Sequence, residues 1–185
     1  MCYLSKRKGI ALLLTIIMLM QFVMPMDIAK AANVLIISHQ NATTPTETNS
    51  VIYTDEIWNG RVGIDGRDIP APIVGGVRVE ISLPKQFVDK SSFQIPVPQN
   101  EITSSTITED ATTYKRIVTV PNVDSATRLS FTYRFKFLNR VTPEGYTITP
   151  NVKVFEAVSG NLLYDSEGIV ATSPTITVKG IDLIP

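Results

Sequence analysis

The residues that could carry chemistry are few and scattered. His39 is the sole histidine in 185 residues, so no cluster exists for a zinc site or a histidine-based triad. It lies at the edge of a polar linker, where a solvated ring is expected. Serines are plentiful, but none sits in a Gly-x-Ser-x-Gly setting. Adjacent acids occur at Asp55–Glu56 and Glu109–Asp110. A glycosidase needs two carboxylates facing each other across a cleft. Neighbours on a strand point to opposite faces, and the Glu109 pair falls in a Thr- and Ser-rich stretch that reads as an exposed loop. These patterns point away from an enzyme.

Binding chemistry is a little richer. Asp65, Asp68, Asp165 and Glu167 could offer oxygen ligands to calcium, but their spacing matches no recognised calcium loop and turn residues are the simpler reading. No cofactor is expected. Trp58 is the only tryptophan, and with Tyr53 it could form an aromatic platform for a sugar ring. The commoner reading packs Trp58 between two sheets. Lys136, Lys153 and Asn151 could supply a Lys–Asn isopeptide bond, which needs a shielding apolar pocket that the polar strand faces do not offer. Arg134, Lys136 and Arg140 form the densest basic cluster. Nucleic-acid binding wants stacking aromatics beside the cations, and here the aromatics point the other way. Nucleic acid is therefore not an expected partner.

One stretch organises the elements that must position these residues. In Arg128–Phe137, RLSFTYRFKF, the residues Leu129, Phe131, Tyr133, Phe135 and Phe137 alternate strictly with Arg128, Ser130, Thr132, Arg134 and Lys136. A period of two with five large apolar side chains is a strand with one dry and one wet face.

The N-terminus reads as an address. Lys6, Arg7 and Lys8 precede an apolar run from Ile10 to Met24, and Ala29-Lys30-Ala31 places small residues where a signal peptidase cuts. Cleavage is expected between Ala31 and Ala32, and the apolar run is short for a membrane anchor. Taking Lys6, Arg7, Lys8, Lys30 and Asp27 from 17 basic and 17 acidic residues leaves a net charge of −3 on 154 residues. The one cysteine, Cys2, leaves with the leader, so the mature domain has no disulfide. That favours a bacterial secreted protein, with the membrane met only through the leader.

Further strands are expected at Asn33–Ser38, Val51–Trp58, Val77–Leu83, Tyr114–Val120, Tyr146–Phe155, Leu162–Tyr164 and Thr175–Val178. Asn41–Ser50 reads as a linker, and Phe87–Val97 as a shorter, Pro-punctuated element. Asn59-Gly60 and Asp65-Gly66 carry the residues of tight hairpin turns, Glu101–Thr113 reads as a long loop, and Thr142–Gly145 as a turn. No long 3.6-residue period appears. The fold class is all-β, an Ig-like antiparallel β-sandwich with Greek-key type connections. The expected organisation is a leader at 1–31, an N-terminal strand and linker at 32–50, and a sandwich domain at 51–185.

Several segments together resemble the Ig-like conserved repeat modules of large bacterial and archaeal cell-surface proteins. They are VRVEISLP at Val77–Pro84, RIVTVPNV at Arg116–Val123, SATRLSFTYRFKF at Ser125–Phe137, GYTITPNVKV at Gly145–Val154, YDSE at Tyr164–Glu167 and PTITVK at Pro174–Lys179. The sequence departs from that pattern at Glu80-Ile81-Ser82, before Leu-Pro, and at Asp124-Ser125-Ala126, before the long strand. The resemblance implies a non-catalytic structural or adhesive module, usually one of several in a long adhesin-type protein, secreted or held at the cell wall. Its partners would be neighbouring domains of the same protein, and host or cell-wall protein or polysaccharide. A chain ending at Ile181–Pro185 without a sorting motif reads as the head of such a protein. A carbohydrate-binding module is the alternative expectation.

Overall fold

The computed structural model describes residues 34–54, 56–96, 102, 104–138, 145–168 and 173–180. The expected cleavage positions Ala29, Ala31 and Ala32, the residues Arg140 and Thr142–Glu144, and the end at Ile181–Pro185 lie outside them.

Among the described residues eleven strands make an all-β sandwich, with no α-helix. They are β1 (Val34–Asn41), β2 (Asn49–Tyr53), β3 (Ile57–Asp68), β4 (Val77–Pro84), β5 (Ser104–Glu109), β6 (Thr113–Val120), β7 (Arg128–Lys136), β8 (Tyr146–Ile148), β9 (Asn151–Glu156), β10 (Leu162–Asp165) and β11 (Thr175–Lys179). Three sheets form, in the orders β1-β3-β7, β10-β9-β4-β6-β5 and β2-β11-β8. All pairings are antiparallel except β2 with β11. One apolar cluster joins the inner faces of all three sheets.

The alternating pattern of β7 is realised residue for residue: Leu129, Phe131, Tyr133 and Phe135 are buried. Phe137 is also buried, in a bridge to Val88 just past the strand end. Burial of each such side chain contributes roughly 1.5–3 kcal/mol. Phe93, brought in by the 3-10 turn Lys90–Ser92, meets Tyr133 and Phe135 edge-on at 6.3 Å. Strand β4, paired between β6 and β9, buries Val77, Val79, Ile81 and Leu83 in the core.

Four expectations need correction. The hairpin turns expected at Asn59-Gly60 and Asp65-Gly66 do not form, because β3 runs unbroken for twelve residues through both. Its glycines answer crowding, not chain reversal. Gly60 pairs with Tyr133, and a Cβ there would overlap the Tyr133 ring and Trp58. At Gly66 a Cβ would strike the carbonyl oxygen of Asp124. The loop expected at Glu101–Thr113 contains β5, an edge strand whose Ser, Thr and Glu residues suit a sheet border open to water. The strand expected at Tyr146–Phe155 is two strands in different sheets, divided around Thr149-Pro150, since proline donates no ladder hydrogen bond. Lastly, Val51–Trp58 splits at Thr54–Glu56 into the end of β2 and the start of β3. The strand expected at Asn33–Ser38 is β1, which pairs with β3 from Val34 to Asn41.

The crowding at Gly60 has a measurable consequence. Gly60→Ala is expected to destabilise the domain by about 1–3 kcal/mol or more in urea denaturation, as an overpacked core site does.

Candidate functional site

The register of β1, β3 and β7 lays their outward residues in rows. The rows run Ile36–Asp65–Arg128, Ser38–Gly63–Ser130, Gln40–Arg61–Thr132, Asn59–Arg134 and Ile57–Lys136. Beyond β7, Gln94 bridges Arg134, and the Ser92 hydroxyl accepts from the Lys136 amide. The result is an open polar sheet face rich in hydroxyl, amide and cationic groups. Arg61 donates to the Ser130 hydroxyl through Nε and Nη2 at 3.1 and 2.7 Å. Arg134 donates to the Gln94 side-chain oxygen at 3.1 Å. Asp65 is the one acid in these rows. It pairs with Arg67 and, at 3.1 Å, with Arg128. The bonds from Arg67, with the Arg128 charge beside them, hold its carboxyl down at about 2.

A rigid aromatic layer backs this face. Tyr133 and Phe135 lie stacked at 6.3 Å, and Trp58 packs on them at 5.7 and 5.5 Å. Tyr133 is fully buried, so its hydroxyl needs a partner. That partner is His39, whose Nε2 lies 2.7 Å from the Tyr133 oxygen. The expected solvated His39 is thus overturned: it is 2% exposed, since an inward position of β1 carries it under β3. Burial pushes the His39 imidazole down to about 4 and the Tyr133 phenol well up, so both are neutral at physiological pH. If Tyr133 donates to Nε2, one orphan remains, the Nδ1–H. The reverse tautomer would strand both Nδ1 and the phenolic hydrogen. The first arrangement is therefore the favoured one.

The other residues singled out from sequence do not converge. Trp58 is 3% exposed, and its indole Nε1–H donates to the Ser50 hydroxyl at 3.1 Å. Tyr53 is 46% exposed on β2. The two cannot form one open platform, because Trp58 lies in the core with its ring against Tyr133 and Phe135. Lys153 meets Asp165 at 2.9 Å and Glu167 at 3.7 Å, and the Asn151 amide donates to Glu167 at 3.1 Å. Those carboxylates, Asp165 foremost, raise the Lys153 pKa, opposite to what an amine nucleophile for an isopeptide bond requires. Glu109 binds Lys85 and Lys90, and Asp110 binds Lys115, so this acidic pair neutralises lysines. Among the described residues no three His, Cys, Asp or Glu side chains are grouped to hold a metal. A cleft of about 480 Å³ between β1, β2 and β3 is lined by Asn41, Glu47, Ser50, Glu56 and Asn59, without a nucleophile–base pair.

Sequence reasoning missed Arg61 and did not assemble the face, although Arg134 and Lys136 stood out as a basic pair. Its signal was the alternation in β7; the matching alternation in β3 is masked by three glycines.

No protein-family model matches the sequence, and no curated protein matches it. Solved structures do resemble it. One is the C-terminal domain of the Streptococcus pyogenes antigen I/II-family protein AspA, with a TM-score of 0.54 at 8% identity, over 80% of this chain and 53% of that one. The C-terminal domain of the Streptococcus agalactiae antigen I/II polypeptide BspA gives 0.48 at 8% identity, over 79% and 50%. A cohesin module from a Clostridium perfringens family 33 glycoside hydrolase gives 0.43 at 10% identity, over 80% and 98%. This chain spans about half the length of the two streptococcal structures. The AspA likeness shows a shared β-sandwich fold, and a fold of this kind hosts unrelated functions.

Two measurements follow from the buried layer. Trp58, as the only tryptophan, should emit at short wavelength and resist acrylamide quenching, while Trp58→Ala should cost about 3–5 kcal/mol of stability. His39 gives a pH signature. The unfolded chain protonates it near 6.5 and the folded chain only near 4, so stability is full above 6.5 and falls as pH drops through that interval. The expected loss is about 3 kcal/mol. Urea midpoints measured from pH 7 to 4 should fall in the native protein and flatten in His39→Gln.

Proposed function

We propose that this chain is a non-catalytic module of a bacterial surface protein, structural or adhesive, that presents the β1-β3-β7 face to a partner. The observation that carries this reading is the pairing of an open, polar, cation-bearing sheet face with a rigid aromatic layer behind it. Such a face suits the binding of an extended partner more than the enclosure of a small substrate. The fold shared with the C-terminal domain of AspA supports a sandwich module of this kind, as do the repeat-module segments. Export supplies the location: a basic stretch, an apolar run and Ala29-Lys30-Ala31 would direct secretion and cleavage before Ala32.

Assignment to the Ig-like repeat modules is part of the same proposal. The domain would then space or project its neighbours in a longer protein, secreted or held at the cell wall, and contact host or cell-wall protein or polysaccharide. A carbohydrate-binding module acting through Trp58 and Tyr53 is disfavoured, because only Tyr53 offers an exposed ring.

Expression of the full chain in a Gram-positive host tests the reading. The expected product is found outside the cell, begins at Ala32 by N-terminal sequencing, and hydrolyses none of a panel of glycosides and esters. Retention in the cytoplasm with Met1–Ala31 intact, or turnover of a substrate, would overturn it.

A further inference from the structure

The two outer faces of the sandwich treat charge differently. On the β10-β9-β4-β6-β5 sheet and its border, cations meet acids: Arg78 with Glu80 at 3.1 Å, Lys115 with Asp110 at 2.9 Å, Lys153 with Asp165 at 2.9 Å, and Lys85 and Lys90 with Glu109 at 3.3 Å. On the β1-β3-β7 face, Arg61, Arg134 and Lys136 stand without a carboxylate partner among the described residues. Their only side-chain partners here are neutral, the Ser130 hydroxyl for Arg61 and the Gln94 amide for Arg134.

Their placement is ordered. Arg134 and Lys136 occupy successive outward positions of β7, and Arg61 lies across from Thr132, one row before Arg134. Successive outward positions on a strand lie about 7 Å apart, so the three cations span about 14 Å on a diagonal. Asn59, Ser130, Thr132 and Gln94 border that diagonal with neutral donors and acceptors, and the exposed Ile57 lies beside Lys136. Nearby acids are otherwise engaged: Asp65 by Arg67 and Arg128, Asp89 by the Ser91 amide and hydroxyl, and Glu56 by the Tyr53 amide. Glu47 faces the cleft on the β2 side.

We infer that this diagonal is a binding track for a polyanionic polysaccharide, one whose carboxylate or sulfate groups recur along an extended chain. The inference rests on the surface-module reading and names its partner class. Three features select that class. A flat face accepts a rod-like polymer, the guanidinium forks of Arg61 and Arg134 match carboxylate and sulfate oxygens, and the flanking hydroxyls and amides suit sugar hydroxyls. Single-stranded nucleic acid fits less well, because every aromatic ring of β7 points into the core and none is left to stack on a base. A neutral glycan would likewise find no exposed ring in these rows.

The test uses the purified full chain on immobilised heparin, with dextran as the uncharged probe and an oligo(dT) strand as the polyphosphate probe. Heparin should bind in preference to both, weakening about tenfold or more from roughly 50 to roughly 200 mM salt, as the release of a few counterions predicts. The triple variant R61Q/R134Q/K136Q should keep its urea midpoint within experimental error and lose at least tenfold in heparin affinity, whereas K115Q/K153Q on the opposite face should bind like the native chain. Absence of heparin binding by the folded native chain, binding undiminished in the triple variant, or equal binding of dextran or oligo(dT) would each overturn the inference. A chain that is exported yet ignores heparin would sink this track alone; one that is not exported would sink the surface-module reading.

Discussion

The fold depends on seating one large, half-polar ring. Tyr133 sits at the centre of the dry face of β7, and its burial sets two requirements at once. Its ring needs space, which Gly60 on β3 provides by having no side chain where the ring lies. Its hydroxyl needs a partner, which β1 provides by bringing His39 to 2.7 Å. Three strands distant in sequence are thereby fixed to one another. A slip of one residue in any of them would turn its inward set outward and strand a buried hydroxyl. The Tyr133–His39 bond thus does more for register than for energy, since a net hydrogen bond is worth only about 1 kcal/mol.

How much of this was legible follows from what sequence patterns encode. Alternation in β4 and β7 is complete, and both strands are where the sequence places them. Alternation in β3 is also real, with Trp58, Val62 and Ile64 inward, but Gly60 and Gly66 occupy the other inward positions, and Asn-Gly and Asp-Gly pairs are the commonest signature of a hairpin. The information that overrides the signature lies far along the chain, in the ring of Tyr133 for Gly60 and the carbonyl oxygen of Asp124 for Gly66. His39 follows the same logic: its burial comes from pairing across β3, not from its polar neighbours. For Trp58 the sequence favours the core over a platform, and the core can hold it because its indole N–H finds Ser50. Strand β5 was hidden by its own composition, for an edge strand can be nearly all Thr and Ser.

The same register that seats Tyr133 also arranges the outside. Because Gly60 must oppose Tyr133, Arg61 must oppose Thr132 and Asn59 must oppose Arg134. The order of cations on the wet face is therefore a by-product of packing on the dry one. Their lack of acidic partners among the described residues is a separate matter, since register alone does not forbid a Glu at Asn59 or Thr132. The opposite sheet shows what the alternative looks like, with lysines and arginines tied to neighbouring carboxylates.

This separation has a bearing on how such a domain can change. Substitutions at Arg61, Arg134 or Lys136 touch only solvent-facing rows, and the aromatic layer beneath them is held by contacts they do not make. The wet face can then vary with little cost in stability. At Trp58, Gly60, His39 or Tyr133 the reverse holds, because each is packed against at least one of the others. A sandwich built this way can keep its core constant while its outer rows change, and the strict two-residue period of β7 makes that division possible.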